Sequence, residues 1–287
     1  MLAQEIELDL PHLRLAALRW GRSGGERVLA VHGWLDNAAS FSALAPLLED
    51  VELVAIDLPG HGRSDHRAEG AYYHYIDYLG DVLRAADALG WRDFTLLGHS
   101  LGAAVCSVLA AAVPERVRQL WLVEGLGPLA TPGEKAVALL RQALTDRDAI
   151  ATKSLRVFGQ LGDAVSARRQ ATGLGEAAAL ALVERGTRRA EGGWVWSSDP
   201  RLTLTSAIRL TEEQILAYVR AIACPALLVL ADPSPPYWDA ATMQQRCAVV
   251  ADLLVRRVAG SHHLHLEDPS AVAREIAAFR RASAGTI

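Results

Sequence analysis

Six short apolar runs, each leading into a turn or a helical pattern, set what this chain can fold into. They are Val28–Val31, Leu53–Ile56, Phe94–Leu97, Leu120–Val123, Ala226–Ala231 and Leu253–Val258. Runs this short, without the alternation of a half-exposed strand, fit strands covered on both faces, as in a parallel sheet. Helical patterns over Tyr75–Leu89 and Leu101–Val113 lie between them. Strand and helix in alternation predict a doubly wound α/β sheet. Ile6–Leu10 and Leu13–Trp20 do alternate, around Pro11, and read as two antiparallel strands at the start of the chain.

The rhythm stops after Glu124. From Gly127 to Leu210 no buried strand is evident, and helical patterns take over at Pro132–Leu144, Ala164–Ala171 and Glu176–Arg185. Thr131 and Glu134 have capping-box spacing with proline at the first helical position. Thr211 and Gln214 repeat that spacing before Ile215–Ile222, which leads back into the sheet. The chain therefore reads as a core domain, residues 1–126 and 211–287, with residues 127–210 inserted as a helical cap. An insertion above the C-terminal edge of a parallel sheet covers the place where ligands bind.

Composition excludes several classes. The net charge of −4, with only two lysines (Lys135 and Lys153) among 29 scattered basic residues, gives no nucleic-acid surface. Cys106, Cys224 and Cys247 are odd in number, widely spaced and without a CxxC, so neither a disulfide framework nor a zinc site is expected. MLAQEIELDL lacks the basic start of a signal peptide, and the stretches Ala103–Val113 and Ala221–Ala231 are about half a membrane span. The expectation is a cytoplasmic protein, a monomer or homodimer, that meets a small-molecule substrate without metal or cofactor.

Gly98-His99-Ser100-Leu101-Gly102 matches G-x-S-x-G and sits between a strand and a helix, the context of a nucleophile elbow. His32-Gly33-Trp34 follows an earlier strand. The N–H groups of Trp34 and Leu101 make the natural oxyanion pair. His32 reads as a structural hydrogen-bonder, and Asp57 to Ser64 as a structural turn in which Asp57 and His61 hold loops. The late segment Gly260-Ser261-His262-His263-Leu264-His265 follows the last strand and offers a general base for Ser100.

HG after the third strand, DLPGHGRS, GHSLG and the late G-S-H-x-x-x-x-E-x-P together resemble the α/β-hydrolase superfamily. HGWLDNAASF, YHYIDYLGDV, ALGW, ERGT and SDPRL resemble its serine hydrolase-like subgroup. The resemblance implies a mostly parallel eight-stranded sheet flanked by helices, with the cap inserted after strand 6. It aligns His262 with the catalytic histidine, His263 with a variable position and His265 with a non-catalytic one.

One member of the expected triad is out of place. The family's usual acid lies nine residues past a proline, here Pro225, and that position is Ser234. Asp232 is two residues early. Glu124, at the end of the sixth strand, offers the other solution, similar to the acid of certain haloalkane dehalogenases. Those enzymes and the epoxide hydrolases use a carboxylate nucleophile, whereas the elbow residue here is serine. The acid's task is to fix the histidine tautomer and balance the imidazolium, so place in space matters more than place in the chain. The preferred assignment is Ser100, His262 and Glu124, with Asp232 as the alternative acid. Trp34, His99, Tyr237 and Trp238 are the expected substrate contacts, while Trp194, Trp196 and Cys106 read as packing residues.

The implied activity is a carboxylesterase-like hydrolase acting on a carboxylic ester or thioester. Alternatives are a carbon–carbon bond hydrolase or an acyltransferase with the same triad. A different class, a non-catalytic ligand receptor on this fold, also stays open.

Overall fold

Each apolar run forms a strand in the computed structural model, which describes residues 2–150, 156–234 and 239–284. The elements in chain order begin β1 (Gln4–Leu10), β2 (Leu13–Gly21), β3 (Glu26–Val31), β4 (Val51–Ile56), α1 (Tyr75–Ala88), β5 (Phe94–His99), α2 (Leu101–Ala112) and β6 (Val117–Val123). Next come α3 (Ala136–Ile150), α4 (Leu161–Thr172), α5 (Glu176–Gly186) and the strands β7 (Thr187–Ala190) and β8 (Gly193–Trp196). The chain ends with α6 (Glu212–Arg220), β9 (Ala226–Asp232), α7 (Ala240–Val249), β10 (Leu253–Ala259), α8 (Leu264–Glu267) and α9 (Pro269–Ala284). Among the described residues the main sheet has eight strands, in the order β1-β2-β4-β3-β5-β6-β9-β10. The pairs β1–β2 and β2–β4 are antiparallel, and every other pairing in the sheet is parallel.

Successive residues of a strand point to opposite faces, so a strand covered on both sides must be apolar throughout. Leu29, Val31, Leu96 and Leu122 pack on one face with Val82 of α1 and Val105 of α2. Val28, Ala30, Leu97 and Val123 pack on the other with Val272, Ile276 and Phe279 of α9. The run Leu253–Val258 departs from this rule. β10 is the sheet edge, Arg256 and Arg257 are exposed, and no residue of the strand is fully buried. Charge on an edge discourages pairing with another chain.

Between β6 and α6 the chain contributes α3, α4, α5 and a β7–β8 hairpin. The hairpin escapes sequence reading because each strand has four residues and buries only one of them, Thr187 and Val195. The capping box predicted at Thr131 and Glu134 does not form. Thr131 donates its N–H to the Leu210 carbonyl at 2.9 Å, which holds it in an extended crossing, and the helix starts after a 3-10 turn at Gly133–Lys135. The box at Thr211 and Gln214 does form.

The inserted segment is fastened to the loops at the C-terminal ends of the strands. Arg185 of α5 donates Nε–H to both oxygens of Asp57 at 2.9 Å and its Nη1 to Glu5 at 2.8 Å. Asp199 accepts from Tyr73 Oη at 2.8 Å and pairs with Arg201, which also donates to the carbonyls of Arg67, Ala68 and Ala71. The phrases ERGT and SDPRL thus contain the clamps between insertion and sheet. No helix among the described residues is long and apolar enough to cross a membrane.

Candidate active site

Ser100 joins β5 to α2 at φ +52°, ψ −111°, a conformation that L residues avoid and that marks a strained turn. Two glycines make the turn possible. A Cβ on Gly98 would lie 2.6 Å from the Ala103 backbone, and one on Gly102 would lie 1.9 Å from the Val31 carbonyl oxygen. Ser100 is only half-buried, and its N–H is anchored to the Val123 carbonyl at 3.0 Å. Leu101 is the first residue of α2, so its N–H has no partner within the helix.

The loop after β3 stands beside this turn. Trp34 is 54% exposed and donates its indole N–H to the Leu202 carbonyl of the insertion at 3.0 Å. His32 is buried, donates Nδ1–H to the Gly33 carbonyl and accepts the Leu58 N–H at Nε2. Burial lowers its pKa to about 4, so it stays neutral. Asp57 accepts the N–H groups of Ala38 and Arg63, and His61 bonds the Pro59 carbonyl, so both fasten loops.

Glu124 directly follows β6, at φ +57°, and is completely buried. One carboxylate oxygen accepts the Ala231 N–H at 2.5 Å, and the other lies 3.0 Å from Nδ1 of His262. Asp232 is exposed at the end of β9. Ser234 accepts a hydrogen bond from Arg257. The carboxylate that meets His262 is therefore the one from β6.

His99, an expected substrate contact, is 1% exposed and is not among the residues that line the cavity beside Leu101 and Trp34. Its Nε2–H donates to the His262 carbonyl at 2.9 Å, and its Nδ1 stands 3.6 Å from Asp36 Oδ2. His263 Nε2 approaches the same oxygen at 3.5 Å, and Arg168 of α4 pairs with the other. His265, buried beside His99 with ring centroids 4.1 Å apart, bonds Ser40 through Nε2 at 2.7 Å. Burial lowers the pKa of His99 to about 4 and carries His265 well below the usual histidine range. At Asp36, burial opposes the charge, but contacts from His263, His99 and Arg168 outweigh it and hold the carboxyl well below its usual range. Neither Asp36 nor Arg168 stands out in the sequence, except that Asp36 falls within the phrase HGWLDN.

A cavity of about 100 Å³ opens beside Leu101 and Trp34. Its other walls include Tyr72, Tyr73 and His74 just before α1, Tyr75 and Tyr78 in its first turn, and Arg201, Leu202 and residues 204–207 from the insertion. Tyr237 and Trp238, expected at the substrate, lie outside the described residues.

The family model for the alpha/beta hydrolase fold matches residues 26–198. The chain belongs to the α/β-hydrolase family. This α/β-hydrolase is 32% identical to a serine hydrolase-like protein of Danio rerio, over 96% of this chain and 88% of the relative. A hypothetical protein of Pseudomonas aeruginosa PAO1, known as a crystal structure, is 43% identical with a TM-score of 0.92, covering 97% of this chain and 99% of that one. The thioesterase domain from the curacin biosynthetic pathway is 28% identical with a TM-score of 0.85, covering 96% of this chain and 100% of that one. The family and its serine hydrolase-like relatives make this chain a hydrolase.

Proposed function

We propose that this α/β-hydrolase cleaves small carboxylic esters or thioesters through Ser100, His262 and Glu124. The observation that carries the reading is the 3.0 Å contact between His262 Nδ1 and a buried Glu124, one strand from a strained serine turn. A carboxylate on Nδ1 fixes the proton there and leaves Nε2 as the basic nitrogen. Nε2 takes the Ser100 hydroxyl proton as Oγ attacks the carbonyl carbon. The resulting oxyanion is received by the N–H groups of Leu101 and Trp34. The imidazolium returns the proton to the leaving alcohol or thiol, and a water then splits the acyl-enzyme by the same route reversed. The steps use side chains, backbone and water alone.

Residues 127–210 serve as the cap in this reading, and the cavity beneath it sets the substrate. A dry cavity of about 150 Å³ takes up benzene, so one of about 100 Å³ suits a chain of a few carbons. Several of the cavity's polar tips are already engaged. Tyr75 Oη donates to the Ala104 carbonyl, Tyr73 Oη to Asp199, and Arg201 is paired with Asp199. The tyrosine walls offer ring surface, and Arg201 is already paired, which favours a short, uncharged acyl or alcohol group. The thioesterase likeness keeps thioesters within the same class.

The test is a chain-length series of p-nitrophenyl esters with fluorophosphonate labelling. Acetate and butyrate should be turned over better than octanoate, and Ser100→Ala should abolish both turnover and labelling. A folded wild-type protein that takes no label would sink the proposal.

A further inference from the structure

His262 is held at two points. Glu124 fixes its ring at Nδ1, and His99 fixes its backbone by donating Nε2–H to its carbonyl oxygen. His99 also immediately precedes Ser100, so its ring stands between the nucleophile turn and the histidine loop. Asp36 packs against that ring and reaches the histidine loop at His263. Its carboxylate oxygen lies 3.5 Å from His263 Nε2 and 3.6 Å from His99 Nδ1; with His99 neutral and its proton on Nε2, the contact with His99 is packing, and the polar approach comes from His263. Gly33 closes the other side. A Cβ there would lie 2.9 Å from His99 Nδ1 and 3.1 Å from Asp36 Oδ2, so the loop carrying Trp34 lies directly on the pair.

A buried carboxylate needs a partner charge, and this one comes from the insertion. Arg168 of α4 reaches down to Asp36 and also donates Nη1–H to the Leu35 carbonyl at 3.2 Å. Its side chain is only 13% exposed. One planar guanidinium thus spans a carboxylate and a carbonyl of the loop that carries Trp34, a fork that lysine cannot reproduce.

We propose that Asp36 and Arg168 are positioning residues for the hydrolytic site. Arg168 fixes Asp36, and Asp36 meets His263, the residue next to His262, while packing against His99, which holds the His262 backbone, so the docking of α4 sets where the imidazole stands. The inference rests on the reading of His262 as general base. It gives the insertion a second task beside covering the substrate. A site assembled through its cap is active only when the cap is seated.

The test compares wild type, Arg168→Gln and Arg168→Lys on p-nitrophenyl butyrate. Misplacing a catalytic group by about 1 Å costs up to about 100-fold, so Arg168→Gln should lose at least about 10-fold in kcat with KM changed less than about twofold. Arg168→Lys should recover part of the loss, and added guanidinium ion should raise the rate of Arg168→Gln but not of wild type. Amide hydrogen exchange supplies a readout independent of turnover. Exchange over residues 260–266 should quicken in Arg168→Gln while β5 stays protected. If Arg168→Gln does not fold, the double variant Asp36→Asn/Arg168→Gln removes both charges and should fold with the same loss of kcat. A folded variant with wild-type kcat, a rise in KM alone, or unchanged exchange over 260–266 overturns the proposal. If wild type hydrolyses no ester and takes no label, the hydrolytic reading fails, while the exchange measurement still decides whether Arg168 governs the His262 segment.

Discussion

His262 Nδ1 stands 3.0 Å from Oε2 of Glu124, a residue completely buried at the end of β6 in a left-handed backbone conformation. The other carboxylate oxygen accepts the Ala231 N–H, so the group is aimed from two sides. Glu124→Gln keeps the shape and removes the charge. It should lower kcat on a short p-nitrophenyl ester by about 10²–10⁴-fold, the range for a triad acid. Asp232→Asn, at an exposed strand end, should stay within about threefold of wild type. The reverse pattern in steady-state kinetics would transfer the role to Asp232.

Why Glu124 is hard to find by counting is a question of topology. β6 and β9 are neighbours in the sheet but lie about a hundred residues apart in the chain. A carboxylate at either C-terminal end approaches the histidine loop from one side or the other. The strands themselves were legible because burial on both faces leaves unbroken apolar runs, as at Val28–Val31. β10 is the parallel strand its apolar residues predict, but not one covered on both faces: Leu253, Leu254 and Val255 look like a core strand, while Arg256 and Arg257 stand at an exposed edge. The Asp36–Arg168 pair was not legible at all. Its members are far apart in the chain, and each alone looks like a surface charge.

Four buried histidines predict an acid-sensitive fold. Burial lowers the folded-state pKa to about 4 at His32, about 3 at His61 and about 4 at His99, and carries His265 well below its usual range. The unfolded chain binds protons at these positions near the ordinary value of about 6.5. Between about pH 6.5 and 4 the unfolded state therefore holds more protons, and stability rises with pH. Each histidine contributes a slope of up to about 1.4 kcal/mol per pH unit in that window. Urea unfolding at stepped pH should show full stability at pH 7 and a steep loss below 6. A midpoint that is flat from pH 7 to 5 would contradict the neutral cluster.

Gly102 and Gly162 make a matched pair of glycine tests. Both are helical, but a Cβ on Gly102 meets the Val31 carbonyl oxygen at 1.9 Å, and one on Gly162 meets nothing within 4 Å. Gly102→Ala should push α2 off β3 and remove most activity and fluorophosphonate labelling. Gly162→Ala should raise stability by about 0.4–1 kcal/mol, since alanine restricts the unfolded chain without strain in the helix. Chemical denaturation of the two variants separates the outcomes. A well-folded, active Gly102→Ala protein would contradict the close approach of α2 to the end of β3.

The Arg185–Asp57 clamp should behave as a buried ion pair. Both side chains are at most 5% exposed, and Asp57 keeps the N–H groups of Ala38 and Arg63 whether or not the guanidinium is present. Arg185→Met strands a buried carboxylate and should cost about 3–5 kcal/mol in urea unfolding. Asp57→Asn strands the guanidinium, which retains Glu5, so its cost should be smaller. The double variant leaves no unpaired buried charge, and its loss should fall short of the sum of the single losses by at least about 1 kcal/mol. Strict additivity would mean that the pair contributes nothing as a pair, and that the insertion is fastened at Asp199 and Arg201 instead.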